Sequence, residues 1–101
     1  MFENTVVIDF ETSGLNPYHD DIIEIGAKIF LKEKEYTTLI KTKKLLDPKI
    51  TSITGITQNM LVKDGVSCRQ AYHDFGEFIR SNCDIKKPIY ILAHNGNSLK
   101  S

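Results

Sequence analysis

The apolar positions near the amino terminus follow a period of two, and those further along follow helical spacing. Val6-Val7-Ile8 is a short β-branched run bounded by polar residues, which predicts a buried strand. Asn16 and Pro17 open a loop that runs through Tyr18 and His19 to Asp21. In the stretch Ile22–Leu31, Ile23, Ile25, Ala27 and Ile29 alternate with mixed partners, the pattern of a second strand. Gly26 inside it predicts a close neighbour or a bulge. Lys32-Glu33-Lys34-Glu35 is a charged turn, and Tyr36–Thr42 reads as a third strand, so the three form an antiparallel meander. Leu45–Lys49 reads as loop with Pro48 as breaker. Thr57 caps a short helix over Gln58–Val62, and Asp64-Gly65 is a turn. Ser67 caps a longer helix from Cys68 to Asn82 with Ala71, Phe75, Phe78, Ile79 and Cys68 on its apolar face. After the linker Asp84–Pro88, Ile89–Ala93 is apolar throughout, as in a central strand covered on both faces.

Composition narrows the class without choosing a function. The chain has 101 residues, 41% of them hydrophobic and 26% charged, which suits one small globular domain. The formal net charge is zero, so any attraction to phosphate must come from metals or local patches. Lys41, Lys43 and Lys44 form one cluster, read most simply as a solvated sheet edge. Cys68 and Cys83 have neither metal-ligand spacing nor a disulfide framework, as expected of reduced thiols in an intracellular protein of cytoplasm or nucleus. No signal-peptide pattern opens the chain, and no apolar run approaches membrane-spanning length, so no membrane partner is expected.

The chemistry begins where the first strand ends. Asp9 and Glu11 sit two apart, and on a strand such residues share a face. Two carboxylates brought together in a partly buried place call for a cation, and hard divalent ions such as Mg²⁺ take oxygen ligands. His19, Asp20 and Asp21 read as a solvated loop rather than a second metal site. Glu24 reads as structural, within reach of the carboxylates.

These residues fall into a known order. Asp9-Phe10-Glu11-Thr12-Ser13-Gly14-Leu15 resembles the first motif of the DEDD superfamily of 3′→5′ exonucleases, the group of polymerase proofreading subunits, ribonuclease T and three-prime repair exonucleases. Ile22-Ile23-Glu24-Ile25-Gly26-Ala27 resembles the strand after that motif, Ile53-Thr54-Gly55-Ile56 the segment between motifs, and Ala93-His94-Asn95-Gly96 the start of the second. The resemblance implies a partial RNase H-like fold: a three-stranded antiparallel meander plus a parallel strand, with flanking helices. It implies phosphodiester hydrolysis at the 3′ end of DNA or RNA with two Mg²⁺ or Mn²⁺ ions. On it, Asp9 and Glu11 are metal ligands. Gly14 contacts the terminal nucleotide through its backbone, and Leu15 packs on the base. Ile53 wedges from the other side, and His94 and Asn95 orient the second motif and substrate.

The resemblance also implies an aromatic residue and then an aspartate at the places that Leu99 and Lys100 hold, and a third motif lying beyond Ser101. The expectation is therefore an amino-terminal part of an exonuclease domain over 1–101, incomplete or inactive by itself, with apolar surface exposed near Ile89–Leu92. The alternative is a non-catalytic module that binds nucleic acid, or a protein partner that completes the sheet. A phosphotransferase of the haloacid dehalogenase type shares the Asp9-x-Glu11-x-Ser13 pattern but has no place for the meander or for His94-Asn95-Gly96.

Overall fold

The computed structural model describes residues 4–16 and 18–94 of the 101-residue chain. The β-branched run Val6-Val7-Ile8 lies within β1, Thr5–Thr12. β2, Ile22–Ile29, pairs antiparallel with β1 and places Val6 opposite Ile29, Ile8 opposite Ala27 and Phe10 opposite Ile25. β3, Glu35–Leu39, pairs antiparallel with β2. β4, Tyr90–His94, runs parallel to β1 on its other side, giving the order β3-β2-β1-β4. Three helices accompany this sheet: α1, Pro48–Thr54; α2, Gln58–Asp64; and α3, Cys68–Asn82. The meander with one parallel strand is the α/β architecture expected from the sequence.

The two faces of the sheet have different fates. Val6 and Ile8 of β1 and Ala27 and Ile29 of β2 form one core, against which Phe75, Phe78 and Ile79 of α3 pack. Tyr36 of β3 stacks on Phe78 with ring centroids 5.8 Å apart. Ser67 caps α3 by accepting from the Gln70 amide at 3.1 Å. Cys68 is exposed rather than on the apolar face, because it is the first residue of the helix and Ala71 is where the helix meets the sheet. The alternation along β1 that sends Val6 and Ile8 to α3 sends Asp9 and Glu11 to the opposite face.

That opposite face has its own small core, and a bulge builds it. The β1–β2 register shifts after Glu11: Glu11 faces Glu24 and Thr12 faces Ile22, leaving Ile23 as the extra residue. An extra residue in one strand re-aims side chains. Ile22 accordingly packs towards Ile25 and Ala71, while Ile23 packs with Ile50, Ile56 and Leu61 of the α1–α2 segment. The bulge lies at Ile23, not at Gly26.

α1 stands where the sequence reads as loop. Proline breaks a helix interior but fits its first turn, where the missing N–H has no partner to lose. Pro48 occupies that turn, and Asp47 caps it by accepting from the Lys49 amide at 2.9 Å. Gly55 ends the helix at φ 79°, and its N–H bonds the Thr51 carbonyl.

β4 is at the sheet edge of the described residues and is not covered on both faces. Tyr90, Ile91 and Leu92 are each about half exposed. Successive strand residues point to opposite faces, so both faces of β4 are open, as expected near Ile89–Leu92. Buried Asn4 fixes the approach to this strand: its Nδ2 donates to the Asp84 carbonyl at 2.8 Å and its Oδ1 accepts from the Asp84 amide at 2.9 Å. Both cysteines are free thiols, and no described helix is long and apolar enough to cross a membrane.

Candidate active site

The carboxylates emerge at the carboxy-terminal end of β1. Asp9 is half-buried, and Glu11 is only 3% exposed. Asp9 lies opposite Gly26 of β2 on one side and His94 of β4 on the other. A Cβ added at Gly26 would sit 3.8 Å from the Asp9 carbonyl oxygen, an ordinary contact, so the glycine keeps the sheet surface beside Asp9 clear of side chain. Glu11 lies opposite Glu24, and directly opposed strand residues share a face. Three acids therefore sit on adjoining positions of one sheet face.

A divalent cation suits this donor set in kind. Mg²⁺ is commonly held by one or two carboxylates plus the phosphates of its substrate, rather than by an all-protein cage. A buried Glu11 beside a half-buried Asp9 supplies hard oxygen ligands of that type. Among the described residues, no group of three or more His, Cys, Asp or Glu is close enough to hold an ion alone.

Ser13 organises the surroundings of this strand end. It is 1% exposed, and its amide donates to the Asp21 carbonyl at 2.8 Å. Its carbonyl accepts from the Asp47 amide at 2.9 Å. Its hydroxyl donates to Asp20 Oδ1 and accepts from the Asp21 amide, both at 3.0 Å. Ser13 thus joins the end of β1 to the 16–21 loop through its side chain and to the cap of α1 through its carbonyl. Removing the hydroxyl in Ser13→Ala deletes two part-buried hydrogen bonds and is expected to cost about 1–3 kcal/mol, at about 0.5–1.5 kcal/mol each. Urea unfolding measures this, and an unchanged midpoint would contradict the assignment of Ser13 as the joint.

The chain turns outward after Gly14. Gly14 is buried, and a Cβ there would fall 2.5 Å from Asp20 Oδ2. Leu15 is 61% exposed, and Ile53 projects from α1 at 43% exposure. Asp9, Glu11, Gly14 and Leu15 are therefore gathered at one strand end. Ile53 is carried on a helix that Ser13 and Ile23 hold against that end. His94 is placed by backbone register beside Asp9. Asn95, and the Leu99 and Lys100 positions, lie outside the described residues.

Sequence reasoning gave no role at the site to Ser13 or Asp20. Asp20 was expected in a solvated loop; it is half-buried and accepts from Ser13 Oγ at 3.0 Å and from the Asn16 amide at 2.8 Å. Asp21 accepts from Thr42 Oγ1 at 2.6 Å, and Lys44 Nζ approaches it at 4.0 Å, so Lys44 is not merely a solvated edge lysine. The only available signal was the acid–loop–acid spacing around Ser13, which does not specify a partner.

Comparison with known proteins places this arrangement. A family model described as Exonuclease, of the RNase T type, matches residues 6–98. The chain is 41% identical over 101 residues to a PolC-type DNA polymerase III of Thermotoga petrophila, covering 95% of this chain and 7% of that protein. It is 35% identical over 92 residues to the epsilon subunit of DNA polymerase III of Treponema pallidum, covering 88% of this chain and 39% of that one. Among solved structures, the nuclease domain of 3′hExo, a DEDDh family member bound to rAMP, superposes with a TM-score of 0.66 at 18% identity, over 93% of this chain and 50% of that one. Exonuclease X in complex with 5′ overhanging duplex DNA gives 0.57 at 20% identity, over 85% and 55%. The chain thus spans at most 55% of the length of any of these proteins.

Proposed function

Because the chain belongs to the RNase T exonuclease family of the DEDD 3′→5′ exonuclease superfamily, with its RNase H-like sheet, we propose that it forms the amino-terminal part, 1–101, of a domain that hydrolyses the terminal phosphodiester at a nucleic-acid 3′ end. The observation that carries this reading is the pairing of buried Glu11 with Asp9 on one sheet face, immediately before Gly14 and exposed Leu15. Asp9 and Glu11 would hold divalent Mg²⁺ or Mn²⁺. Such ions, when bound, activate a water and stabilise the charge on the leaving oxygen.

The chain's own residues do the positioning. Gly14 presents backbone to the terminal nucleotide, with Asp20 filling the space behind it. Leu15 offers an apolar surface to the base, and Ile53 offers another from α1; contacts of this kind grip a base without reading sequence. Gly26 leaves room over Asp9 for the phosphate. His94 and Asn95 would orient the second motif and the strand beside Asp9. Further acidic ligands of the superfamily would come from the second motif and beyond.

The second reading is a module that binds nucleic acid, or a protein strand that completes the sheet, without cleaving. The open apolar edge at Tyr90, Ile91 and Leu92 favours it. A 3′-end-labelled oligonucleotide separates the two. Release of labelled mononucleotide with Mg²⁺, abolished by a chelator, is the expected result for the first. Retention of the strand with no release, indifferent to the chelator, would establish the second.

A further inference from the structure

Leu15 is mostly exposed and packs into none of the three apolar cores among the described residues. Burial therefore does not fix where it points, and its backbone has to. The hydrogen bonds on either side of it show what holds that backbone.

Before Leu15, the Gly14 carbonyl accepts from Thr12 Oγ1 at 2.7 Å. Gly14 also lies against the Asp20 carboxylate, whose carbon and two oxygens would all stand within 2.7 Å of a Cβ added at Gly14. The carboxylate thus fills the space that any side chain there would need. After Leu15, the Asn16 amide donates to Asp20 Oδ2 at 2.8 Å, and the Asn16 carbonyl accepts from the Asp20 amide at 2.9 Å. These two bonds are reciprocal and close a ring between residues 16 and 20. The other oxygen, Oδ1, accepts from the hydroxyl of buried Ser13 at 3.0 Å. One carboxylate therefore grips the chain at residue 13 and at residue 16, packs against residue 14, and leaves residue 15 to span the gap.

The engagement of both oxygens explains the residue type. A carboxylate offers two acceptor oxygens in one plane. By charge alone, an acid beside a position for a nucleotide phosphate opposes the phosphate. Its presence next to Gly14 calls for a role that its charge does not supply, and ordering the turn is such a role. Surfaces ordered before a ligand arrives lose less entropy on binding it.

We propose that Asp20 is a positioning residue for the terminal nucleotide. Its carboxylate sets the turn over residues 13–16 so that the Gly14 backbone and the Leu15 side chain are presented to the nucleotide together. It acts through those two residues rather than on the nucleotide. The role rests on the nucleotide reading above.

The test measures binding of thymidine 5′-monophosphate to the full chain with Mg²⁺ by isothermal titration calorimetry, at a temperature where circular dichroism shows every variant folded. Asp20→Ala, which removes both acceptors, is expected to weaken binding about ten-fold, the size of one lost base contact. Asp20→Asn keeps an oxygen for the Asn16 amide and turns an amide group towards the Ser13 oxygen. It is expected to stay within about three-fold of the parent. Both variants lack the charge, so equal affinities in the two, whether both weakened or both at the parent's value, would overturn the role. Leu15→Ala is expected to lose about ten-fold. Leu15→Ala with Asp20→Ala is expected to lose no more than Leu15→Ala alone, because effects that run through one residue do not add. A loss of about a hundred-fold in the double variant would show independent action and overturn the role. Hydrogen exchange reads the hold in the parent itself. The Asn16 amide, on an exposed residue, is expected to be protected, and an unprotected amide would overturn the proposal whatever the variants do. Failure of the parent to bind the monophosphate would overturn the nucleotide reading and the role with it, whereas binding by the parent and equally by Asp20→Ala would overturn the role alone.

Discussion

Asp9→Asn is expected to lower Mg²⁺-dependent release of the 3′-terminal nucleotide by about a hundredfold or more. Metal assistance is worth several kcal/mol, and each 1.36 kcal/mol is tenfold in rate. The substitution keeps size and shape, removes the negative charge and turns one acceptor oxygen into a donor, at a half-buried position opposite a glycine where packing is undemanding. Glu11→Gln is expected to act in the same direction from a position with 3% exposure. A second readout does not depend on turnover. A ligand that binds only the folded state at a hundred times its Kd adds about 2.7 kcal/mol, which in a domain of this size moves Tm by roughly 10 °C or more. Saturating Mg²⁺ is therefore expected to raise the Tm of the parent chain and not that of either variant. An Mg²⁺-induced rise that survives in both variants would place the metal elsewhere.

The elements that the sequence revealed are those whose cause is local. The β-branched run at Val6 gives β1, the alternation through Ile25 and Ile29 gives β2, and the spacing of Ala71, Phe75 and Ile79 behind the Ser67 cap gives α3. The acid pair was legible for the same reason, since i and i+2 share a face wherever a strand is straight. What stayed hidden depends on partners distant in sequence. Pro48 reads as a breaker until the Asp47 cap shows that it is the first turn of a helix. The run Ile22-Ile23 carries no mark of a bulge, because both residues are apolar; only the β1 register shows that they go to different cores. Ser13 looks like one more hydroxyl, and its role appears when Asp20, Asp21 and Asp47 gather around it. Ile89–Ala93 has the composition of a covered strand, and nothing among the described residues covers its outer edge.

The second large effect follows from that bulge. Ile23→Ala is expected to destabilise the chain by about 2–5 kcal/mol, the usual cost of emptying a fully buried aliphatic site. Ile23 has no exposed surface, and its neighbours Ile50, Ile56 and Leu61 belong to the α1–α2 segment. Ile29→Ala is the matched control. Ile29 is equally buried but belongs to the core under α3, on the face away from the carboxylates. Both substitutions should lower the urea midpoint by comparable amounts. They should differ in binding, measured at a temperature where both variants remain folded. Loss of Ile23 loosens the attachment of α1, the helix that carries Ile53, to the strand end bearing Asp9 and Glu11, so affinity for an oligonucleotide should fall. Loss of Ile29 leaves that attachment intact, so affinity should hold. Equal loss of affinity in both would mean that the α1–α2 segment does not position the site, and that Ile53 has no part in gripping the strand. A fall confined to Ile23→Ala would show that the extra residue in β2, which has no register partner on β1, holds the two halves of the site together.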